Sequence, residues 1–103
     1  MTSCVTVARG NLYLPKEVYD HYLAGLEAVI LHRQGSDLMI LPVRHAPAGG
    51  YILKVRNASG DRVVSAPNFF RSEGIEDEMP LSATTRWDAT AVGLRATGVF
   101  HTP

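Results

Sequence analysis

The side chains able to do chemistry are few in this chain of 103 residues, and they are scattered. His21, His32, His45 and His101 can titrate near neutral pH, but none stands with another at the helical spacing that aims two imidazoles at one metal ion. Cys4 is the single cysteine, so no intramolecular disulfide and no paired thiolate site is available. Nucleophilic catalysis needs an activated hydroxyl or thiol held by a base, and Ser65 and Ser72 lack the glycine framing of a nucleophile elbow. Glu76, Asp77 and Glu78 offer paired carboxylates, but a loop fixes such groups poorly for acid–base work. Gly49-Gly50 precedes a strand pattern rather than a helix, which is the wrong context for a phosphate cradle. The expectation is a protein that is not an enzyme, with no metal and no cofactor.

Charge is the other chemical resource. Ten basic and ten acidic residues cancel, whereas a non-specific nucleic-acid binder usually carries excess positive charge to displace counterions. The balance is local as well as global over residues 1–50. From residue 44 onward it is polarised: Arg44, Lys54, Arg56 and Arg62 face only Asp61, and Glu73, Glu76, Asp77 and Glu78 form an acidic knot. Two readings follow, one basic and one acidic surface on a neutral protein, or two ordinary solvated segments.

The elements that must position these groups read as follows. Val5-Thr6-Val7-Ala8 is a β-branched strand ended by Arg9-Gly10-Asn11, and Leu12-Tyr13-Leu14 resumes the extended chain. Leu14 precedes a proline and stays extended, while Pro15 suits the first turn of a helix. Val18, Tyr19, Tyr22, Leu23 and Leu26 recur at helical spacing, which predicts a helix to about Ala24, stopped by Gly25. Residues 28–33 and 38–43 form an apolar hairpin around Gln34-Gly35-Ser36-Asp37. Residues 44–50 are the best linker. Tyr51, Leu53 and Val55 then alternate with Ile52, Lys54 and Arg56, a half-buried strand with basic residues on its other face. Residues 57–61 make a turn, 62–66 pair back, and Pro67 leads a short helix ended at Gly74. Residues 82–87 and 92–97 make a last hairpin, with Val99-Phe100 closing the sheet. Trp87 is expected in the core or at a barrel end, and only one of the adjacent Phe69 and Phe70 can point fully inward.

The second half thus repeats the order of the first, with Pro67 in the part of Pro15. The chain reads as a single domain, 1–103, with unit one at 5–43, a linker at 44–50 and unit two at 51–100. The length supports one core and not two. No apolar run approaches the roughly 20 residues of a membrane-spanning helix, and Met1-Thr2-Ser3-Cys4 does not open a secretory signal, so the expectation is a cytoplasmic protein with no membrane partner.

The run Gly10-Asn11-Leu12-Tyr13-Leu14-Pro15-Lys16-Glu17-Val18, followed by Gly25, the apolar residues 28–31 and residues 37–42, resembles the AbrB/MraZ-type swapped-hairpin family over residues 10–43, with a repeat suggested at 62–97. The resemblance implies an α+β, β-rich fold, a small barrel-like domain from two strand–helix–hairpin units, completed either by a homodimer or within one chain as a pseudo-dimer. It implies a non-catalytic DNA-binding transcription regulator. Where the family commonly has Gly-Arg this chain has Gly10-Asn11, with Arg9 before the glycine, and where the family often has arginine after Pro-x-Glu-x it has Tyr19. The expected DNA-binding residues are Arg9, Lys16, Lys54, Arg56 and Arg62. The alternative is a protein-binding accessory or assembly factor with the same fold and no DNA binding, contacting its partner through Phe69, Phe70, Glu76, Asp77 and Glu78.

Overall fold

The computed structural model describes residues 3–44, 50–75 and 79–100. Its strands are β1 (Ser3–Ala8), β2 (Asn11–Leu14), β3 (Ala28–Gln34), β4 (Asp37–Val43), β5 (Tyr51–Ile52), β6 (Lys54–Val55), β7 (Arg62–Ser65), β8 (Leu81–Asp88) and β9 (Gly93–Ala96). Helix α1 (Lys16–Val18) follows β2 and widens into a π-helical turn at Tyr19–Leu23, and α2 (Pro67–Ser72) follows β7. Both helices begin beside a proline, at Pro15 and Pro67, where the missing amide hydrogen costs no helical bond.

All strands belong to one antiparallel sheet in the order β5-β3-β4-β9-β8-β1-β2-β7-β6. The two outer strands of that order are consecutive in the chain. Tyr51 and Ile52 pair with Val29 and Ala28, then Lys54 and Val55 pair with Val63 and Arg62. Leu53 sits at the changeover, its amide donating to the Glu27 carbonyl at 2.8 Å. One short stretch therefore carries both margins, and the sheet curls into a nearly closed barrel. Sequence alternation reads 51–56 as a single half-buried strand, but the chain divides it between two partners, and Val55, in the register row of the buried Leu14, is left 64 % exposed at the sheet margin.

The ladder has an approximate twofold pattern. Exchanging β1, β2, β3 and β4 with the 51–55 stretch, β7, β8 and β9 converts the β1·β8 pairing into β5·β3, β1·β2 into β6·β7, and β3·β4 into β8·β9. It returns β2·β7 and β4·β9 to themselves. The registers agree, placing Val7 on Leu53, Leu12 on Val64, Leu14 on Ala66, Val29 on Ala83 and Leu38 on Leu94, all buried. Val18 and Phe70, three residues after their prolines, also correspond and are both in the core.

The core is aliphatic apart from Phe70 and Phe100, and both helical segments contribute to it. Val18 and Leu23 from the first helical segment and Phe70 from α2 all join the same core cluster. Val99 and Phe100 lie in that core outside any strand, with the Phe100 amide bonded to the Ser36 carbonyl at 2.9 Å, so they plug the barrel rather than extend the sheet. Val92, expected in the last strand, occupies the turn before β9 with φ of 53°. No helix among the described residues is long and apolar enough to cross a membrane.

Candidate nucleic-acid interface

Alternation along β2 decides what the β2–β7–β6 sector shows to solvent. Leu12 and Leu14 enter the core, so Asn11 and Tyr13 face outward. The cross-strand row through Tyr13 runs from Thr6 on β1, over Tyr13, to Val63 on β7 and Lys54 on β6. Paired residues share a face, which places the exposed Lys54 on the same outer surface as Tyr13.

Arg9 reaches this surface from the two-residue turn between β1 and β2. Arg9 and Gly10 both have positive φ, 52° and 77°, the geometry that suits a tight hairpin to the twist of its strands. A non-glycine residue there is strained by about 1–2 kcal/mol, and such strain tends to collect at functional positions. Arg56 also reaches this surface, its guanidinium 4.5 Å from the centre of the Tyr13 ring. The Asn11 side-chain amide donates to the Tyr13 hydroxyl at 3.1 Å. That bond lowers the Tyr13 pKa most. Burial opposes it, and a hydrogen bond from Arg9 with the charges of Arg9 and Arg56 adds to the lowering. A pocket of about 120 Å³ opens beside the ring, lined by Thr6, Tyr13, Leu14, Pro15, Arg56 and Asp61.

Asp61 is committed to the fold. Its carboxylate accepts from the Lys16 amide at 2.8 Å and from the Asn57 side chain at 3.0 Å, and these bonds, the Asn57 one first, lower its pKa. They tie the turn after β6 to the first residue of α1. The same turn gathers two more cations. The Lys16 stem packs beside Gly60, and its ammonium lies 3.6 Å from the Asp20 carboxylate. Arg62 donates from Nη1 to the Gly60 carbonyl and lies over the Tyr19 ring at 3.9 Å. The cation–π contacts of Arg56 and Arg62 restrain both guanidinium groups without neutralising their charge.

The five basic residues expected from sequence thus fall in one sector, in two groups: Arg9 and Arg56 at Tyr13 with Lys54 two strands along the same row, and Lys16 with Arg62 beside the 57–61 turn. The partner-contact set fares differently. Phe70 is 1 % exposed and belongs to the core, so it cannot present a surface. Phe69 is half-buried, edge-on to Phe70 and Phe100 with ring centres 5.2 and 6.2 Å away. Glu76, Asp77 and Glu78 lie outside the described residues, as do His45 and His101.

Sequence reasoning missed the part Tyr13 plays as the hub of the basic group. Period-2 alternation was the signal, since it turns Tyr13 outward between two buried leucines. It also missed the aromatic barrel mouth. Trp87 does lie at a barrel end, 37 % exposed, with its ring parallel to Tyr22 within 2° and 5.8 Å between centres. His21 meets Tyr22 edge-on at 4.4 Å. Under the twofold exchange Trp87 corresponds to Arg33, which at the other mouth binds Glu73 at 3.3 Å and stands over Phe100.

Among the described residues no group of three His, Cys, Asp or Glu is placed to hold a metal ion, and no buried side-chain nitrogen or oxygen lacks a hydrogen-bond partner. No family model matches the chain, and no curated protein or solved structure matches it.

Proposed function

We propose that this chain is a non-catalytic DNA-binding regulator of AbrB/MraZ type that works as a single-chain pseudo-dimer. The pairing order supports the swapped-hairpin arrangement. The β3–β4 hairpin of the first half lies between β5 and β9 of the second, and the β8–β9 hairpin of the second lies between β4 and β1 of the first. Each half thereby completes the other half's sheet.

The observation that carries the DNA reading is the convergence of Arg9 and Arg56 on Tyr13, with Lys54 in the same outward row. It also bears on the two places where the chain departs from the family pattern. The arginine displaced from after Gly10 to before it still reaches the outward face of β2. The tyrosine standing where an arginine is common carries the Arg62 guanidinium on its ring. Charges supplied from elsewhere in the fold thus stand where the motif lacks them. These side chains hold phosphates, fixing the protein's position on a duplex, and release counterions on binding. The test is fluorescence anisotropy with a labelled promoter-proximal duplex at low salt. Binding weakened by Lys54→Ala and Arg56→Ala supports the reading, and no binding to any such duplex sinks it.

The second reading, a protein-binding accessory or assembly factor without DNA binding, is favoured by the aromatic mouth. An indole left partly bare on a stacked partner suits a protein contact, since tryptophan and tyrosine dominate such interfaces. The two readings separate at the salt titration: a protein contact through Trp87 is insensitive to charge removal at Lys54 and Arg56.

A further inference from the structure

We propose that the closing seam of the barrel is a self-association surface that joins two copies of this chain about a twofold axis. The seam stretch carries two large apolar side chains in the open, Ile52 at 55 % and Val55 at 64 % exposure. They border one groove of about 350 Å³ whose floor includes Tyr19 and Leu26. Barrel closure does not use this groove, because the pairings of β5 with β3 and of β6 with β7 are already made within the chain.

Charge complementarity selects the occupant. Glu27 lines the groove on the β3 side, where its carbonyl takes the Leu53 amide, and Arg62 lines it on the β7 side, paired with Val55. The groove is therefore acidic at one flank and basic at the other, with the apolar pair between. A twofold axis across the seam brings Glu27 of one copy to Arg62 of the next and lays Ile52 on Val55. That is the self-complementarity an isologous contact requires. Arg62 is held in place there, over the Tyr19 ring and bonded to the Gly60 carbonyl. Glu27 makes no ion pair among the described residues and is exposed. A foreign partner would have to match both charges at this spacing, whereas a second copy does so by symmetry.

The seam shares Arg62 with the proposed DNA contacts, so its experiment uses no nucleic acid and reads mass alone, and Ile52→Lys and Val55→Asp test it outside the DNA-contact set. Sedimentation velocity and light scattering of the full chain, from micromolar to millimolar concentration, read the mass directly. The expected result is a concentration-dependent monomer–dimer equilibrium. Val55→Asp, Ile52→Lys and Glu27→Arg should each raise the dissociation constant about tenfold or more, while circular dichroism shows the fold intact. Glu27→Arg combined with Arg62→Glu should recover dimer relative to Glu27→Arg alone. A wild-type chain that stays monomeric throughout overturns the proposal. So does a dimer that Ile52→Lys and Val55→Asp leave unchanged, or one that the charge exchange fails to restore.

Discussion

Replacing Gly10 by alanine tests how the two halves of the barrel meet. Gly10 has φ of 77° in the β1–β2 turn, and a Cβ built there lies 2.8 Å from both Cα and Cβ of Pro67. Its carbonyl also accepts the Ala66 amide at 2.9 Å, so the turn of one half rests on the entry to the helix of the other. Two costs add. An L-residue in the left-handed region costs about 1–2 kcal/mol, and forcing a methyl into backbone that must shift costs about another 1–3 kcal/mol. The total of roughly 2–5 kcal/mol is a large share of the ~5–15 kcal/mol that holds a small domain folded. Gly25 supplies the control, because it has φ of 81° and nothing within 4 Å of an added Cβ. Gly25→Ala therefore carries the conformational cost alone. Only the packing cost separates the two variants, so urea unfolding followed by circular dichroism should place the Gly10→Ala midpoint about 0.3–3 M below that of Gly25→Ala, given a slope of about 1–3 kcal/mol per molar for small proteins. Equal midpoints would refute the close packing of the β1–β2 turn on Pro67.

Other expectations follow from the same geometry. Arg95 bridges Asp88 at 2.7 Å and Asp37 at 2.9 Å, and Asp37 also takes the Gly98 amide at 2.9 Å. The pKa of Asp37 is lowered chiefly by that amide and then by Arg95, and that of Asp88 chiefly by Arg95. Carboxylates with depressed folded-state pKa values stabilise fully above their unfolded pKa and lose that stabilisation as pH falls through the folded value. Urea midpoints should thus fall as acid is added below about pH 4, and less steeply in Asp37→Asn/Asp88→Asn; identical acid profiles would contradict the bridge. Phe70→Ala should cost about 3–5 kcal/mol and Phe69→Ala distinctly less, read from the same unfolding curves. Trp87 is the sole tryptophan, so Tyr22→Ala should shift its emission to longer wavelength by baring the face that Tyr22 covers, and an unmoved spectrum would speak against the stack.

Local features were the legible ones. The proline-led helices, the Gly25 stop, the apolar hairpin of β3 and β4 and the repeated order of elements are all written in short-range pattern, because they depend on φ restrictions and on burial period. The changeover at Leu53 was not. Alternation over 51–56 describes a regular strand, and nothing local says that its first residues pair with β3 and its last with β7. Whether an apolar residue such as Val55 is buried depends on that long-range choice. The candidate site divides in the same way. Charge clustering pointed to Lys54, Arg56 and Arg62, yet the stacking of Arg56 on Tyr13, and Lys54 sharing that outward row, required knowing that β2, β7 and β6 are neighbours. The adjacent Phe69 and Phe70 promised one inward ring, and the twofold correspondence with Val18 explains why Phe70 is the one.

The central claim is that the Tyr13 face holds duplex phosphates, and the salt dependence of binding tests it most directly. If Arg9, Lys54 and Arg56 each neutralise one phosphate, the logarithm of the binding constant should fall against that of salt concentration with a slope of about −2.7, a loss of roughly 40-fold for a fourfold rise in salt. Lys54→Ala and Arg56→Ala should each make that slope shallower by about 1. A duplex that does not bind even at low salt, or a slope that these substitutions leave untouched, would contradict the account.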